Sequence, residues 1–355
     1  MARLRLGVIG SGSWAVAAHL PSLATRSREV EFVGVSRHGP EALRRIRDQF
    51  GFAVASENYR EVLAAGIDIA VVSSPTALHH EHAKAALEAG AHVLCEKPFT
   101  LTSEQAWDLV ATAERMDRHL LVSFGWNYKP LVERAHALIS TKGIGAIEQL
   151  SVTMSSQTRE LLTDTGAYPD ASPDTTPEMR TWTDPNLSGG GYGQAQLSHA
   201  IALALWLTDE RVTAAFALTG GPTQARVELH DAFSLRLQGG GIASVGGGSS
   251  FVGADRNKHH LTVEAIGSDG QFCLDVFRER ASLFRPDDGQ VDLKVSAGDG
   301  DYDGALAAQR LVDLALGRTV TNPAPGELGA RTVEALELAY RSAGSGALEA
   351  RKVHA

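Results

Sequence analysis

Leu4-Arg5-Leu6-Gly7-Val8-Ile9-Gly10-Ser11-Gly12-Ser13-Trp14-Ala15 decides the fold. The apolar run ending at Ile9 reads as a strand, and the glycines after it match G-x-G-x-x-A, the pattern that closes a strand and opens a helix. Glycine is needed for the tight turn at Gly10. At Gly12 a side chain would stand where a pyrophosphate rests on the helix N-terminus. The motif alone is weak, and an ordinary glycine turn competes with it. Its context favours dinucleotide binding, because strands predicted over 4–9, 30–36, 67–73, 92–95 and 120–124 alternate with amphipathic segments over 40–50, 79–89 and 103–116. That alternation is the pattern of right-handed β-α-β crossovers in a parallel sheet, and Ser103 is the expected N-cap of the last helix.

Beyond Tyr128-Lys129-Pro130 the rhythm changes. A helix over 131–140 and a strand over 147–155 are followed by strands joined at the glycine-rich stretches 239–241, 246–248 and 267–270, which suit an antiparallel sheet. Helices over 304–316 and 327–342, separated by Asn322-Pro323-Ala324-Pro325-Gly326, close the chain. The expected fold is α/β: an N-terminal Rossmann dinucleotide-binding domain over 1–125, then a C-terminal α+β domain over 126–355 with a mostly antiparallel open sheet, for substrate binding and oligomerisation. Residues 157–184 form a long polar loop, which in a compact domain is more often functional than idle.

Composition bounds the function. The 355 residues make about two domains at roughly 150 residues each. With 43% hydrophobic and 21% charged residues, disorder and fibrous repeats are excluded. A net charge of −9 has the wrong sign for neutralising phosphates, so nucleic acid is not an expected partner. The apolar run at 200–207 is far short of the roughly 20 residues that cross a bilayer, and Met1-Ala2-Arg3-Leu4-Arg5 leads into a glycine turn instead of a cleavage site, so a cytoplasmic location is expected. Cys95 and Cys273 build no disulfide framework. Neither His79-His80-x-His82 nor His259-His260 has the partners of a metal site, and no metal is expected.

Two segments give the chemistry. Val33-Gly34-Val35-Ser36-Arg37 ends the second strand with a hydroxyl and a guanidinium where an acid would otherwise meet the ribose of NAD. Ser36 and Arg37 therefore favour the 2′-phosphate of NADP; the alternative is that Arg37 stacks on adenine while NAD is used. Cys95-Glu96-Lys97-Pro98 then follows a strand at the carboxyl edge of the sheet, where the lysine reaches a substrate oxygen beside a nicotinamide.

With these segments, Ser74-Pro75-Thr76 and His79, Trp126-Asn127-Tyr128-Lys129-Pro130, Trp182-Thr183-Asp184-Pro185, Ser188-Gly189-Gly190-Gly191 and the run Glu334-Ala335-Leu336-Glu337-Leu338-Ala339-Tyr340-Arg341-Ser342-Ala343, the chain resembles the Gfo/Idh/MocA family of nicotinamide-dependent oxidoreductases over nearly its whole length. The family acts mostly on sugars, cyclitols and their derivatives. The resemblance implies that Lys97 bonds the reacting hydroxyl or carbonyl, that His199 is acid or base on it and that Glu96 orients the lysine. It gives Gly10, Gly12, Ser13 and Trp14 to the phosphate turn and Pro75 to the nicotinamide ribose, with Ser74, His79 and Trp126 also on the cofactor side. Asn127, Tyr128, Tyr192, Gln194 and Gln196 are candidates for the substrate side; Arg159 and Arg180 are candidates for an anionic group or are solvated surface arginines. Self-association through the second sheet is also expected. One departure stands out. Four positions before the histidine, one helical turn away on the same face, the family pattern has an aspartate and this chain has Ala195. An NAD(P)-dependent sugar oxidoreductase is the first reading. A redox-neutral, NAD-dependent glycoside hydrolase that oxidises, eliminates, hydrates and re-reduces is the second, and a non-catalytic NAD(P) sensor the third.

Overall fold

The computed structural model describes residues 2–166, 175–253 and 259–351; part of the 157–184 loop, and part of the second predicted domain, lie outside the described residues. The first sheet is built from β1 (Leu4–Ile9), β2 (Val30–Ser36), β3 (Val54–Ser56), β4 (Ile69–Val72), β5 (His92–Cys95) and β6 (Leu120–Val122). Its order is β3-β2-β1-β4-β5-β6 with every pairing parallel. β4 is buried on both faces, as a continuous apolar strand between two helix layers must be. The strand order reverses beside β1, and the crevice outside the carboxyl ends of β1 and β4 is where such sheets bind ligands.

The second sheet contains β7 (Ile147–Ser156), β8 (Val212–Gly220), β9 (His230–Leu237), β10 (Ile242–Ser249), β11 (His259–Gly267), β12 (Gly270–Asp275), β13 (Arg280–Arg285), β14 (Gly289–Asp292) and β15 (Glu349–Ala350), in the order β14-β13-β12-β11-β7-β10-β9-β8-β15. Pairing is antiparallel throughout except between β7 and β10. β9 alternates strictly between exposed and buried residues, so one face of the sheet is packed and the other open. The packed face meets the helices Ser198–Thr208 and Gly326–Ser345. The helix Leu306–Ala315 returns to the first sheet, with contacts to β4, β5 and β6, and Gly326–Ser345 lies along Ser103–Met116. One continuous apolar core therefore runs through both sheets.

Several local expectations are corrected. The stretch 246–248 is not a turn but lies inside β10. A Cβ on Gly247 would stand 2.4 Å from the Met154 carbonyl oxygen and 2.9 Å from the Tyr192 ring, so close approach and not chain reversal demands glycine there. β3 and the helix Tyr59–Ala64 were not foreseen, because three and six residues carry too little periodicity to read. The helix cap expected at Ser103 is Thr102, whose side chain accepts the Gln105 amide. The helix predicted from 79 begins at Thr76, directly after Pro75.

Candidate active site

A cavity of about 1270 Å³ opens along the carboxyl ends of the parallel strands, and all the residues placed on the cofactor side from sequence line it: Gly10, Gly12, Ser13, Trp14, Ser36, Arg37, Ser74, Pro75, His79, Glu96, Lys97 and Trp126. Gly10 has φ +78°, and a Cβ on it would lie 2.4 Å from the Ser74 backbone, so the turn after β1 and the turn after β4 touch only because residue 10 is glycine. Gly12 differs. A Cβ there would meet nothing nearer than 3.9 Å, so no protein atom requires the glycine, and the space it leaves open faces the cavity. The Trp14 indole nitrogen is also buried without a partner. Both observations fit a dinucleotide whose pyrophosphate lies over Gly12.

His79 ties the walls together. Its ring nitrogens lie 2.7 Å from the Ser74 carbonyl oxygen and 2.8 Å from that of Pro98, and burial lowers its pKa. The other histidines of the cluster turn elsewhere, His80 to Asp108 at 2.6 Å and His82 to the Ser74 hydroxyl at 2.9 Å. At the edge of the cavity Arg37 donates to the backbone carbonyls of His38 and Ser11.

At the far end the strand β5 delivers Glu96 and Lys97. The Glu96 carboxylate is buried and lies 2.7 Å from the Nε2 of a fully buried His19, while its second oxygen accepts the Lys97 amide. Burial works to raise its pKa, but His19 and the Lys97 ammonium together hold it below the ordinary carboxylate value. The Lys97 ammonium donates to the Ala195 carbonyl oxygen at 2.9 Å and stands 5.8 Å from the centre of the Trp182 ring. Burial lowers its pKa and Glu96 opposes that. His199 is 3% exposed, with its ring edge-on to Trp126 at 5.1 Å. Burial, then the Lys97 and His259 charges, push its pKa well below the usual range, so the imidazole is neutral near pH 7, and Nδ1 has no partner. The same burial raises the Cys95 thiol, as an inert cysteine requires.

The one-turn spacing assumed between Ala195 and His199 is not kept. Gly193–Leu197 is a π-helical turn, which carries an extra residue and breaks the i, i+4 stacking of an α-helix. Of the residues placed on the substrate side, Lys97, Gln196 and His199 line the cavity. Asn127 is spent on the Pro323 carbonyl and Tyr128 on that of Val122, Tyr192 donates to Met154, and Gln194 is buried; none of these four is among the lining residues. Arg159 lies over the Phe251 ring and Arg180 is exposed, both likewise outside the lining. Sequence reasoning passed over His19 and Tyr302, and it took Trp182 only as part of a family-like segment and His259 only as a rejected metal ligand, although both line the cavity. The signal for His19 was available, since a carboxylate buried at Glu96 needs a cationic or donor partner; for Tyr302, 103 positions after His199, no spacing pointed to the site.

Residues 4–124 match the family model described as "Oxidoreductase family, NAD-binding Rossmann fold", and residues 132–273 match "GFO/IDH/MocA C-terminal domain". Among curated relatives, the chain is 35% identical over 122 residues to D-glucoside 3-dehydrogenase of Escherichia coli, covering 34% of each chain, so the match spans about a third of that relative's length. It is 27% identical over 244 residues to D-xylose 1-dehydrogenase (NADP(+)) 2 of Haloferax volcanii, covering 68% of each. Among solved structures, an inositol dehydrogenase homologue from Azotobacter vinelandii complexed with NAD+ superimposes with a TM-score of 0.79 over 98% of this chain and 97% of the other, at 19% identity. That last likeness is one of fold.

Proposed function

The chain belongs to the Gfo/Idh/MocA family of oxidoreductases, and from that premise we propose that it is an NAD(P)-dependent dehydrogenase of a sugar or sugar derivative, with Lys97 and His199 as its catalytic groups. The observation that carries this reading is that Lys97 and His199 line the same cavity as the Gly10–Trp14 turn. Residues 1–125 hold the cofactor and the later part of the chain brings His199 to it. When bound, the nicotinamide supplies the hydride acceptor. Lys97 donates a hydrogen bond to the hydroxyl oxygen that is to become a carbonyl and stabilises the charge developing there. The neutral imidazole of His199 accepts the hydroxyl proton, and in the reverse direction returns it. Glu96, held by His19, keeps the lysine at the wall and offsets its desolvation. Trp182 and Trp126 offer apolar faces to the carbon skeleton of a sugar.

For the cofactor we favour NADP, because Arg37 reaches the cavity beside Ser36 at the end of β2; the name of the Haloferax relative supports this. The test is absorbance of the reduced nicotinamide with a panel of sugars and each cofactor. Net reduction is expected. Lys97→Met should abolish it while NADPH affinity stays within a few-fold, and His199→Ala should slow it by roughly 10²–10⁴-fold. Near-parental turnover in Lys97→Met removes the assignment. The redox-neutral hydrolase remains the second reading, favoured by Ala195, which leaves Lys97 facing a carbonyl in place of a carboxylate. Release of free sugar from a glycoside with C2 deuteration and no net absorbance change selects it over the dehydrogenase.

A further inference from the structure

Behind the cavity wall, outside its lining, two polar side chains converge on the glycine run that leads to His199. Glu228, on the segment entering β9, accepts the Gly191 amide at 2.8 and 2.9 Å through its two oxygens and the Gly193 amide at 3.1 Å. The Tyr340 hydroxyl, on the helix Gly326–Ser345, donates to Glu228 at 2.6 Å and accepts the Gln194 amide at 3.0 Å. The glycines are there to admit these groups. A Cβ on Gly191 would stand 2.1 Å from the Glu228 carbonyl oxygen, and Cβ atoms on Gly190 and Gly193 would lie 2.5 and 2.6 Å from the Tyr340 hydroxyl. The three amides so held open the π-helical turn Gly193–Leu197, whose Ala195 carbonyl receives Lys97 and whose end passes directly into the helix bearing His199.

We propose that Glu228 and Tyr340 form a clamp that positions His199 and the Ala195 carbonyl relative to Lys97, making both of them positioning residues for the reaction. The proposal deepens the dehydrogenase reading and rests on it. The physical case is that first-turn amides have no partner within their own helix. A charged carboxylate satisfying two of them, with a phenol satisfying the third, fixes where that turn begins and therefore where its later residues point. Neither side chain lines the cavity, so neither touches substrate or cofactor.

The test uses the full-length protein and two near-isosteric variants, Glu228→Gln and Tyr340→Phe. Histidine ring resonances are followed by NMR, with His199 assigned from His199→Ala, alongside NADPH titration, thermal unfolding and turnover on the sugar best used by the parent. The expected result is a shifted His199 resonance in both variants and kcat lowered about 10-fold with KM little changed, since small displacements of a reacting group are costly. NADPH affinity should stay within twofold. Unchanged His199 resonances in folded variants overturn the clamp, and so does a loss of NADPH binding in step with the shift, because the pair would then hold the whole pocket. If Glu228→Gln fails to fold, Tyr340→Phe decides by the same two criteria. Should the parent turn over no sugar, the dehydrogenase reading fails while the resonance measurement still decides the clamp.

Discussion

Asp231, on β9 opposite Gly247, has a carboxyl that is 5% exposed with neither oxygen hydrogen-bonded, and its Oδ2 would stand 3.5 Å from a Cβ on Gly193. Burial, reinforced by the neighbouring Glu228 charge, raises its pKa to about 8. The folded protein therefore keeps a proton that the unfolded chain, titrating at roughly 4, has already released. Between those values the native state binds more protons than the unfolded state, so stability falls as pH rises from about 4 to 8, and the cost is complete above 8. Asp231→Asn removes the ionisation at nearly constant volume. Its melting temperature should match the parent at pH 4 and exceed it at pH 8.5. A parental slope of melting temperature against pH in the variant would show that Asp231 titrates normally.

At the scale of the element, what was legible in the sequence follows from periodicity. β1, β2 and β5 were read to their exact ends because apolar β-branched runs bounded by turn residues have one reading. Glycine was less transparent. Gly12 and Gly247 look alike in sequence, yet one leaves open space facing the cavity and the other makes room for Tyr192 and Met154. The lining of the candidate site was legible where a motif sits on a strand end, as with Lys97, and obscure where a π turn intervenes. His19 closes the π turn Ala15–His19, and Ala195 lies within Gly193–Leu197, so α-helical spacing gave no guide to either. The two glycines yield opposite predictions. Gly12→Ala should leave the melting temperature unchanged and weaken NADPH binding more than about 10-fold, because the methyl enters only the open space of the cavity. Gly247→Ala should cost about 1–3 kcal/mol in denaturant unfolding, since the methyl must overpack a carbonyl oxygen 2.4 Å away. Equal loss of stability in the two would refute the distinction.

Across the whole molecule, the second sheet has one face committed and one face open. Residues such as Phe233 and Leu235 point into the core under Ser198–Thr208 and Gly326–Ser345, whereas Ala232, Ser234 and Arg236 between them face outward. Beside these, β8 and β10 present Phe216, Leu218 and Ile242, with Leu218 65% and Ile242 61% exposed. Phe216 and Leu218, two positions apart on β8, form an exposed apolar patch, with Ile242 farther along the same face opposite Arg236; monomers tend to avoid such patches, and β15 covers only two residues of the neighbouring β8 edge. Among the described residues no helix is long and apolar enough to cross a membrane. We infer that two copies of the chain meet through this open face. Light scattering after size exclusion should give the parent a mass above the 37.7 kDa of one chain. The double variant Leu218→Glu and Ile242→Glu should return it to one chain's mass by placing like charges in the interface. NADPH affinity should survive, because the open face lies across the sheet from the helix carrying His199. A parent that scatters as a single chain would refute the interface and leave the apolar patch without a partner.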